Sequence, residues 1–540
     1  MKHQRPLRLG LACAILLSTT SCQNTPAPVD TTPADEIIYH VFQRSFYDSN
    51  GDSHGDLAGL AEKLDDLQEL GITAILLTPL YESVYYHNYF SSDFEKIDPT
   101  YGDKAAYLSL VQEIHRRGMK IYMDMETQYV TEDHLWWRDS YGNPASLYSD
   151  YIIYNDSAQT QPESIVFNLT ELLGYDGTVR KITTVNLDHP AVLEYNFQLF
   201  SHWIDPNGDG RFDDGVDGFR LDHMMDDLDN KGILPQLFRT FWVPLIERLK
   251  VVNPDVQFMA EQADWGSYGF DYLERGGVDR VFAFRVQQAA RTLDKARIEA
   301  FADTTFGNTP AGKKQIMFIE NHDIPRFATV VEQHPGKLRV GAAINLLIGG
   351  IPSIYYGQEI GMLGHAEFGR YGEVVTDANE IPSREAFEWY ASAQGEGMAY
   401  WYKDTGPWWD ESNIKPNDGI SLEEQRADDQ SLWNYYRSLI ALRRDHDALV
   451  NGSYHTIPNN TANILSFMRE SPKERILVVI NLGDFSESLS LDGDDGHQEP
   501  MGTLDQLWGK TPFKQGAGKI AIDDIPPYSV HVFRMDGKMR

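Results

Sequence analysis

From Glu36 to about residue 445 the chain repeats one pattern, a short apolar segment followed by an amphipathic stretch of helical period. That alternation restricts it to a parallel sheet flanked by helices. Ile37–Phe42 reads as the first strand. Leu57, Leu60, Leu64, Leu67 and Leu70 then mark one helical face, stopped by Gly71. Ile72–Leu77 is the second strand, Ala105–Arg117 a helix and Lys120–Met125 the third strand. Further strands are expected at Gly218–Leu221, Gln257–Ala260, Arg280–Phe284, Gln315–Ile319 and Pro352–Tyr355. Eight strands separated by helices predict a (β/α)₈ barrel of the α/β class.

Two stretches break the pattern. Residues Val130–Pro190, after the third strand, are rich in Tyr, Asp, Asn and Thr and too long for a connection, so an inserted subdomain is expected there. Beyond the helix Ser431–Arg444, the strand-like segments Ile464–Arg469, Ile476–Ile480, Ser486–Leu491 and Ser529–Phe533 alternate with polar turns. They predict a C-terminal antiparallel β-sandwich over residues 450–540, leaving 35–449 to the barrel and its insert.

The N-terminus reads as an address. Lys2, Arg5 and Arg8 precede the apolar run Leu9–Leu17 and the small residues Ser18–Ser21, and the run is too short to span a bilayer permanently. The two cysteines are Cys13, inside the run, and Cys22, just after it. Residues 1–22 resemble a bacterial lipoprotein signal, although Thr19 stands where such signals usually carry Leu. The resemblance implies export to a bacterial envelope, facing the periplasm or in the outer membrane, with a lipid on Cys22 as the sole membrane contact. Ordinary cleavage would leave a periplasmic or secreted protein. Residues 23–34, with three prolines and three threonines, form a tether. Without Cys13 and Cys22 the body has no cysteine for a disulfide. A net charge of −33 excludes a phosphate-backbone partner, so no nucleic acid is expected. Nothing in the sequence marks an oligomeric state.

Chemistry in such a barrel sits where the strands end. Asp124 follows the third apolar segment, Asp222 the fourth, Glu261 the fifth and Asp323 the seventh. Carboxylates converging on one mouth raise each other's pKa, the condition for pairing an ionised nucleophile with a protonated acid.

The motifs carrying these residues resemble those of glycoside hydrolase family 13, the α-amylase family, and occur in its order. Asp217-Gly-Phe-Arg-Leu-Asp222 is similar to its fourth-strand motif, Met259-Ala-Glu261 to its fifth and Phe318-Ile-Glu-Asn-His-Asp323 to its seventh. Gly350-Ile-Pro-Ser-Ile-Tyr-Tyr-Gly-Gln-Glu359 resembles its eighth-strand signature. The resemblance implies that Asp222 attacks the anomeric carbon, that Glu261 is the acid/base, and that Asp323 holds the sugar hydroxyls. It makes Arg220 the cation that keeps Asp222 ionised and His322 a hydroxyl ligand. His87-Asn-Tyr89-Phe90 resembles the second-strand loop, which gives Tyr89 a stacking role and makes His87 a further substrate-binding candidate. His134, Trp136, Trp137, Trp401, Trp408 and Trp409 are further aromatic candidates, some of them for glucan contact.

Asp48, Asn50, Asp52, His54 and Asp56 alternate in a Gly-rich loop, like the first half of a calcium loop. Relatives in the family bind calcium with this loop, so a structural Ca²⁺ is expected, His54 contributing its backbone oxygen. Asp205, Asn207, Asp209, Asp213 and Asp214 form a second run that reads equally as a calcium site or a polar turn. The third-strand motif departs from the family: Gln128 and Tyr129 replace Asn-His, which tells against the family's other common calcium site. The Tyr129 phenol, in place of a histidine that touches the sugar, can still donate a hydrogen bond and remains a substrate-binding candidate. Phe90 stands where members trimming single glucose units often carry Asp, favouring longer substrates. The resulting expectation is retaining, endo-acting hydrolysis of α-1,4-glucosidic bonds in starch, glycogen or maltooligosaccharides. The alternatives are an exo-acting α-glucosidase, a transglycosylase and a non-catalytic glucan-binding lipoprotein.

Overall fold

In the computed structural model the described residues are 36–366, 376–403, 413–492, 503–516 and 519–536. The signal, Cys13, Cys22, the tether, Trp408 and Trp409 lie outside them. Eight parallel strands close into a barrel: β1 Ile38–Val41, β2 Ala74–Leu77, β3 Lys120–Met125, β4 Gly218–Met224, β5 Gln257–Gln262, β6 Arg280–Phe282, β7 Lys314–Met317 and β8 Ile351–Tyr355. Each pairs with its sequence neighbours, and β1 pairs with β8. The fold is the one expected, a (β/α)₈ barrel with a C-terminal antiparallel domain.

The strands are apolar on both faces because both are covered. Ile38, Leu76, Tyr122, Met259, Ile316 and Ile351 fill the interior, while Tyr39, Ile75, Ile121, Phe219 and Phe258 belong to the core under the helices. Near the N-terminal end of the barrel Arg280 pairs with Glu36 at 2.6 Å. Gly218 opens β4 because a Cβ there would lie 2.1 Å from the Gln257 carbonyl oxygen. The helical face from Leu57 to Leu70 is split at Lys63 into Leu57–Glu62 and Leu64–Leu70. It ends at Gly71, whose φ of 103° suits glycine.

The insert contains a three-stranded sheet of Tyr129–Thr131, Glu171–Leu173 and Val179–Thr184. The C-terminal domain stacks a five-stranded sheet on a three-stranded one. Their common core includes Ile464, Leu477, Leu489, Ile520, Ile522 and Phe533. Arg469 ties this domain to the barrel by donating to the Leu347 carbonyl at 2.8 Å. No helix among the described residues is long and apolar enough to cross a membrane.

Candidate active site

Side chains alternate along a strand, so Arg220 and Asp222 share the inward face of β4. Arg220 is in register with Asp124 on β3 and Met259 on β5. Its guanidinium, 2% exposed, donates from Nη1 to Asp124 Oδ2 at 2.6 Å and to Asp222 Oδ1, and from Nη2 lies 2.9 Å from Glu261 Oε2. One buried cation therefore serves three carboxylates, a geometry suited to the planar fork of arginine. β4 bends at its end: His223 has φ 45°, and the β4–β5 register shifts between Ala260 and Gln262. The bend turns the His223 N–H onto Glu261 Oε2 at 3.2 Å, and Trp265 Nε1 donates to Glu261 Oε1 at 3.2 Å.

Charge in this cluster is unevenly placed. Burial pushes Asp222 upward against the pull of Arg220, and Glu261, Asp124 and Glu126 add to the rise. Burial also acts upward on Glu261, but Arg220, His223 and hydrogen bonds from Asp222 and the His223 N–H outweigh it, and the net direction is down. Asp222 and Glu261 are hydrogen-bonded to each other, and their titration belongs to the pair. Asp124 is pushed up to about 6, burial again the largest cause.

Tyr89 closes the other side. Its hydroxyl donates to Asp124 Oδ2 at 2.8 Å and lies 2.8 Å from His322 Nε2, and its ring stacks on His322. With the phenolic proton on Asp124, His322 must carry its own proton on Nε2. Burial, with the neighbouring His40 and Arg384, holds His322 well below the usual range, so it is a neutral donor. His87 is buried behind Tyr89 and accepts its N–H at 3.1 Å. Tyr129 gives its hydroxyl to Asp229 rather than to the carboxylate cluster. Gln128 donates to the Asp222 carbonyl at 2.7 Å, so its carboxamide is engaged on the nucleophile strand.

Asp323 accepts from Arg384 at 3.2 Å, and Arg384 also binds Glu380 and the His322 carbonyl. Burial, then Glu261, pushes Asp323 up to about 7 against Arg384. A carboxyl raised in the fold adds stability below its unfolded pKa, and that contribution is lost as pH rises through the folded value. Asp323→Asn removes the cost, so it is expected to melt above the wild type at pH 8, with the gap closing by pH 4. Paired thermal melts at the two pH values check this, and a gap that is equal at both would contradict it.

The calcium-type loop follows β1. Asp48 accepts the N–H groups of Asn50, Gly51 and Ser53. Asn50 and Asp52 each accept the N–H two residues on. Asp56 caps the helix Leu57–Glu62 through Gly59 N at 2.6 Å. In the second run, Asp205 likewise accepts from Gly208 and Gly210 in the turn before β4. No group of three or more His, Cys, Asp or Glu is arranged as a metal cage among the described residues. Among the aromatic candidates, Trp136, Trp137 and Trp401 are core residues: each is at most 3% exposed, and Trp401 stacks on Tyr86 at 4.5 Å. His134 is buried too and caps the helix Leu135–Ser140.

Residues 40–452 match the family model described as the α-amylase catalytic domain. The chain belongs to the α-amylase family. Residues 454–532 match the maltogenic amylase C-terminal domain. The chain is 30% identical over 468 residues to Alpha-amylase 3 of Dictyoglomus thermophilum, covering 85% of this chain and 87% of the relative. It is 26% identical to a trehalose synthase/amylase of Mycolicibacterium smegmatis (84% and 85% covered). A probable oligo-1,6-glucosidase of Bacillus subtilis is 25% identical, with 83% and 90% covered. An α-amylase from H. orenii superposes with a TM-score of 0.75 at 26% identity, covering 93% of this chain and 99% of that one. As a member of the α-amylase family the protein is an enzyme of the glycosidase type.

Several site residues escaped the sequence reading. Arg384 follows the eighth strand in a stretch without a motif, and nothing local marks it. His40 lies on β1, edge-on to His322 at 5.1 Å, and burial pushes it down to about 3. Glu126 did leave a signal, since it is an acidic residue directly after the expected third strand Lys120–Met125 and two residues beyond Asp124.

Proposed function

We propose that this α-amylase family enzyme hydrolyses α-1,4-glucosidic bonds within starch, glycogen or maltooligosaccharides, with retention of anomeric configuration. The observation that carries the reading is the contact of Asp222 and Glu261 around Arg220. Carboxyls this close suit a double displacement, whereas an inverting pair stands about 6.5–9.5 Å apart to admit water. A sugar entering the −1 position separates the two carboxyls and breaks their hydrogen bond. Asp222 then keeps the charge that Arg220 favours, and Glu261, losing its hydrogen bond from Asp222, takes up a proton. Asp222 attacks C1 as Glu261 protonates the departing oxygen; Glu261 then deprotonates water, which cleaves the glycosyl ester. His322 and Asp323 bind hydroxyls of that sugar, and Tyr89 walls the pocket.

Time-resolved products of residues 23–540 on amylose test the reading. Mixed maltooligosaccharides appearing early support internal cleavage. Early glucose alone would overturn it in favour of an exo-acting enzyme, and release only from α-1,6-linked substrates would favour the chemistry in the name of the Bacillus relative. Transfer to an added acceptor sugar in preference to water would make it a transglycosylase.

Calcium belongs to the same proposal. Asp48, Asn50, Asp52, the His54 carbonyl and Asp56 are all hard oxygen donors, the type Ca²⁺ takes. Bound there, the ion would pin the loop after β1. Chelation is expected to lower the melting temperature and added Ca²⁺ to restore it, with Asp48→Ala insensitive to both. A melting temperature indifferent to chelator would remove the ion from the account. Envelope anchoring through a lipid on Cys22 predicts palmitate labelling in cells that is lost in Cys22→Ala; an unlabelled wild type would exclude the anchor.

A further inference from the structure

Glu261 has to give a proton and later take one, and its two oxygens are not equally free to do so. Oε2 lies 2.9 Å from Arg220 Nη2 and accepts the His223 N–H at 3.2 Å. Both partners are donors, and together they use the two lone pairs of that oxygen. Oε1 accepts the indole N–H of Trp265 at 3.2 Å. An indole nitrogen donates and cannot accept, so it holds Oε1 without competing for a proton there. The bond with Asp222 parts when a sugar enters, and a proton on Glu261 then has its place on Oε1.

Trp265 is firmly anchored for holding that oxygen. It stands four residues beyond Glu261, in a turn closed by the Ser267 N–H on the Asp264 carbonyl at 2.9 Å. Its ring stacks on Phe284 with centroids 5.2 Å apart and planes 9° from parallel, and Gln288 donates to its carbonyl at 3.0 Å. Phe284 and Gln288 lie one turn apart on the helix Phe284–Thr292 that follows β6, so one helix fixes both ring and backbone. Phe284 in turn belongs to the packed barrel interior. So anchored, the indole turns its N–H to a carboxyl at the mouth.

We propose that Trp265 is a positioning residue for the acid/base, holding Glu261 Oε1 as the oxygen that gives and takes the proton. In the first half of the reaction the O–H bond on Oε1 breaks. Its proton goes to the departing glycosidic oxygen, which keeps the electron pair of the C1–O bond. Negative charge then develops on Oε1 against a donor already in place. In the second half Oε1 takes a proton from water as the water oxygen bonds to C1 and the ester bond to Asp222 breaks. The indole itself exchanges no proton. The inference rests on Glu261 being the acid/base.

Two variants test it. Trp265→Phe keeps an aromatic ring and loses the N–H. Replacement of Trp265 by 3-benzothienylalanine keeps the bicyclic shape and puts sulfur in place of the N–H. Values of kcat/KM are compared on a maltooligosaccharide, whose leaving oxygen needs a proton, and on an α-maltosyl fluoride, whose fluoride leaves without one. In both variants the first is expected to fall about tenfold, the scale of one hydrogen bond to a charged group, and the second to change less than about twofold. The alkaline limb on the maltooligosaccharide, which reports the protonated acid, should rise by roughly one pH unit, because the lost N–H favoured the ionised form. Arg220, Asp222 and His223 from β4, Asp124 from β3, Tyr272 on the helix Phe270–Glu274 and Asp323 beyond β7 also act on Glu261 and are unchanged in both variants. Equal losses on both substrates, or an unmoved limb, would make Trp265 a packing residue and overturn the proposal. Should Trp265→Phe fail to fold, the benzothienyl variant decides alone by the same criteria. A Glu261→Gln variant that keeps full activity on the maltooligosaccharide would instead remove the acid/base assignment, a failure separable from that of Trp265.

Discussion

Asp222→Gly is expected to lower turnover of maltooligosaccharides by about 10⁴-fold without unfolding the barrel, because the covalent step has no substitute in the site. The fold should tolerate the change. Asp222 sits at the end of β4 with its side chain 16% exposed, and its removal takes one acid out of a crowded group. Arg220 keeps Asp124 and Glu261 as partners. The variant also leaves a space beside C1, and a small anion such as azide should enter it. With an activated α-glucosyl fluoride as substrate, azide is expected to restore turnover and yield a β-glucosyl azide, because a single displacement inverts. Activity near the wild-type level without azide would mean that another group attacks C1.

Arg220→Leu is expected to be the most destabilising substitution in the site. It leaves Asp124, Asp222 and Glu261 buried together with no cation, and breaking a buried charge network costs about 3–5 kcal/mol. The loss should depend on pH. Asp124 already sits at about 6 in the presence of Arg220, through burial. Without Arg220 the carboxyls rise further above their unfolded values, so their contribution persists only at low pH and is lost as pH rises. The deficit against wild type is therefore small at pH 4 and grows toward pH 8, as denaturant titrations at the two pH values would read. Arg220→Lys should recover part of the stability but little activity, since an ammonium cannot span the fork from Asp124 to Glu261. A deficit independent of pH would mean that Arg220 acts through packing alone.

The barrel strands were legible because each is covered on both faces and so stands out as a short, mostly apolar segment whose buried charged residues are those of the mouth or of the pair Arg280–Glu36. Helix Leu432–Arg444 was legible through its spacing and its cap, Ser431. The break at Lys63 was hidden, because the leucines keep one helical period across it. Four C-terminal strands, Ser453–Thr456, Thr503–Trp508, Phe513–Gly516 and Lys519–Ile525, went unnoticed because their polar residues dilute the apolar alternation. In the site, motifs at strand ends pointed to Arg220, Asp222, Glu261, His322 and Asp323, which the fold brings to one mouth. What motifs could not carry is the long-range partner. Arg384 reaches Asp323 from 61 residues away, and Asp229 takes the Tyr129 hydroxyl from 100. Trp401 was one of several aromatic residues open to either the core or the sugar, and packing places it in the core.

The central claim is a double displacement on Asp222, and the most direct measurement is proton NMR of the first product released from a maltooligosaccharide, read before mutarotation. The account predicts that the α-anomer appears first and the β-anomer only later, as the free sugar equilibrates. Initial release of the β-anomer would contradict it, because water would then have attacked C1 directly and Asp222 could not be the nucleophile.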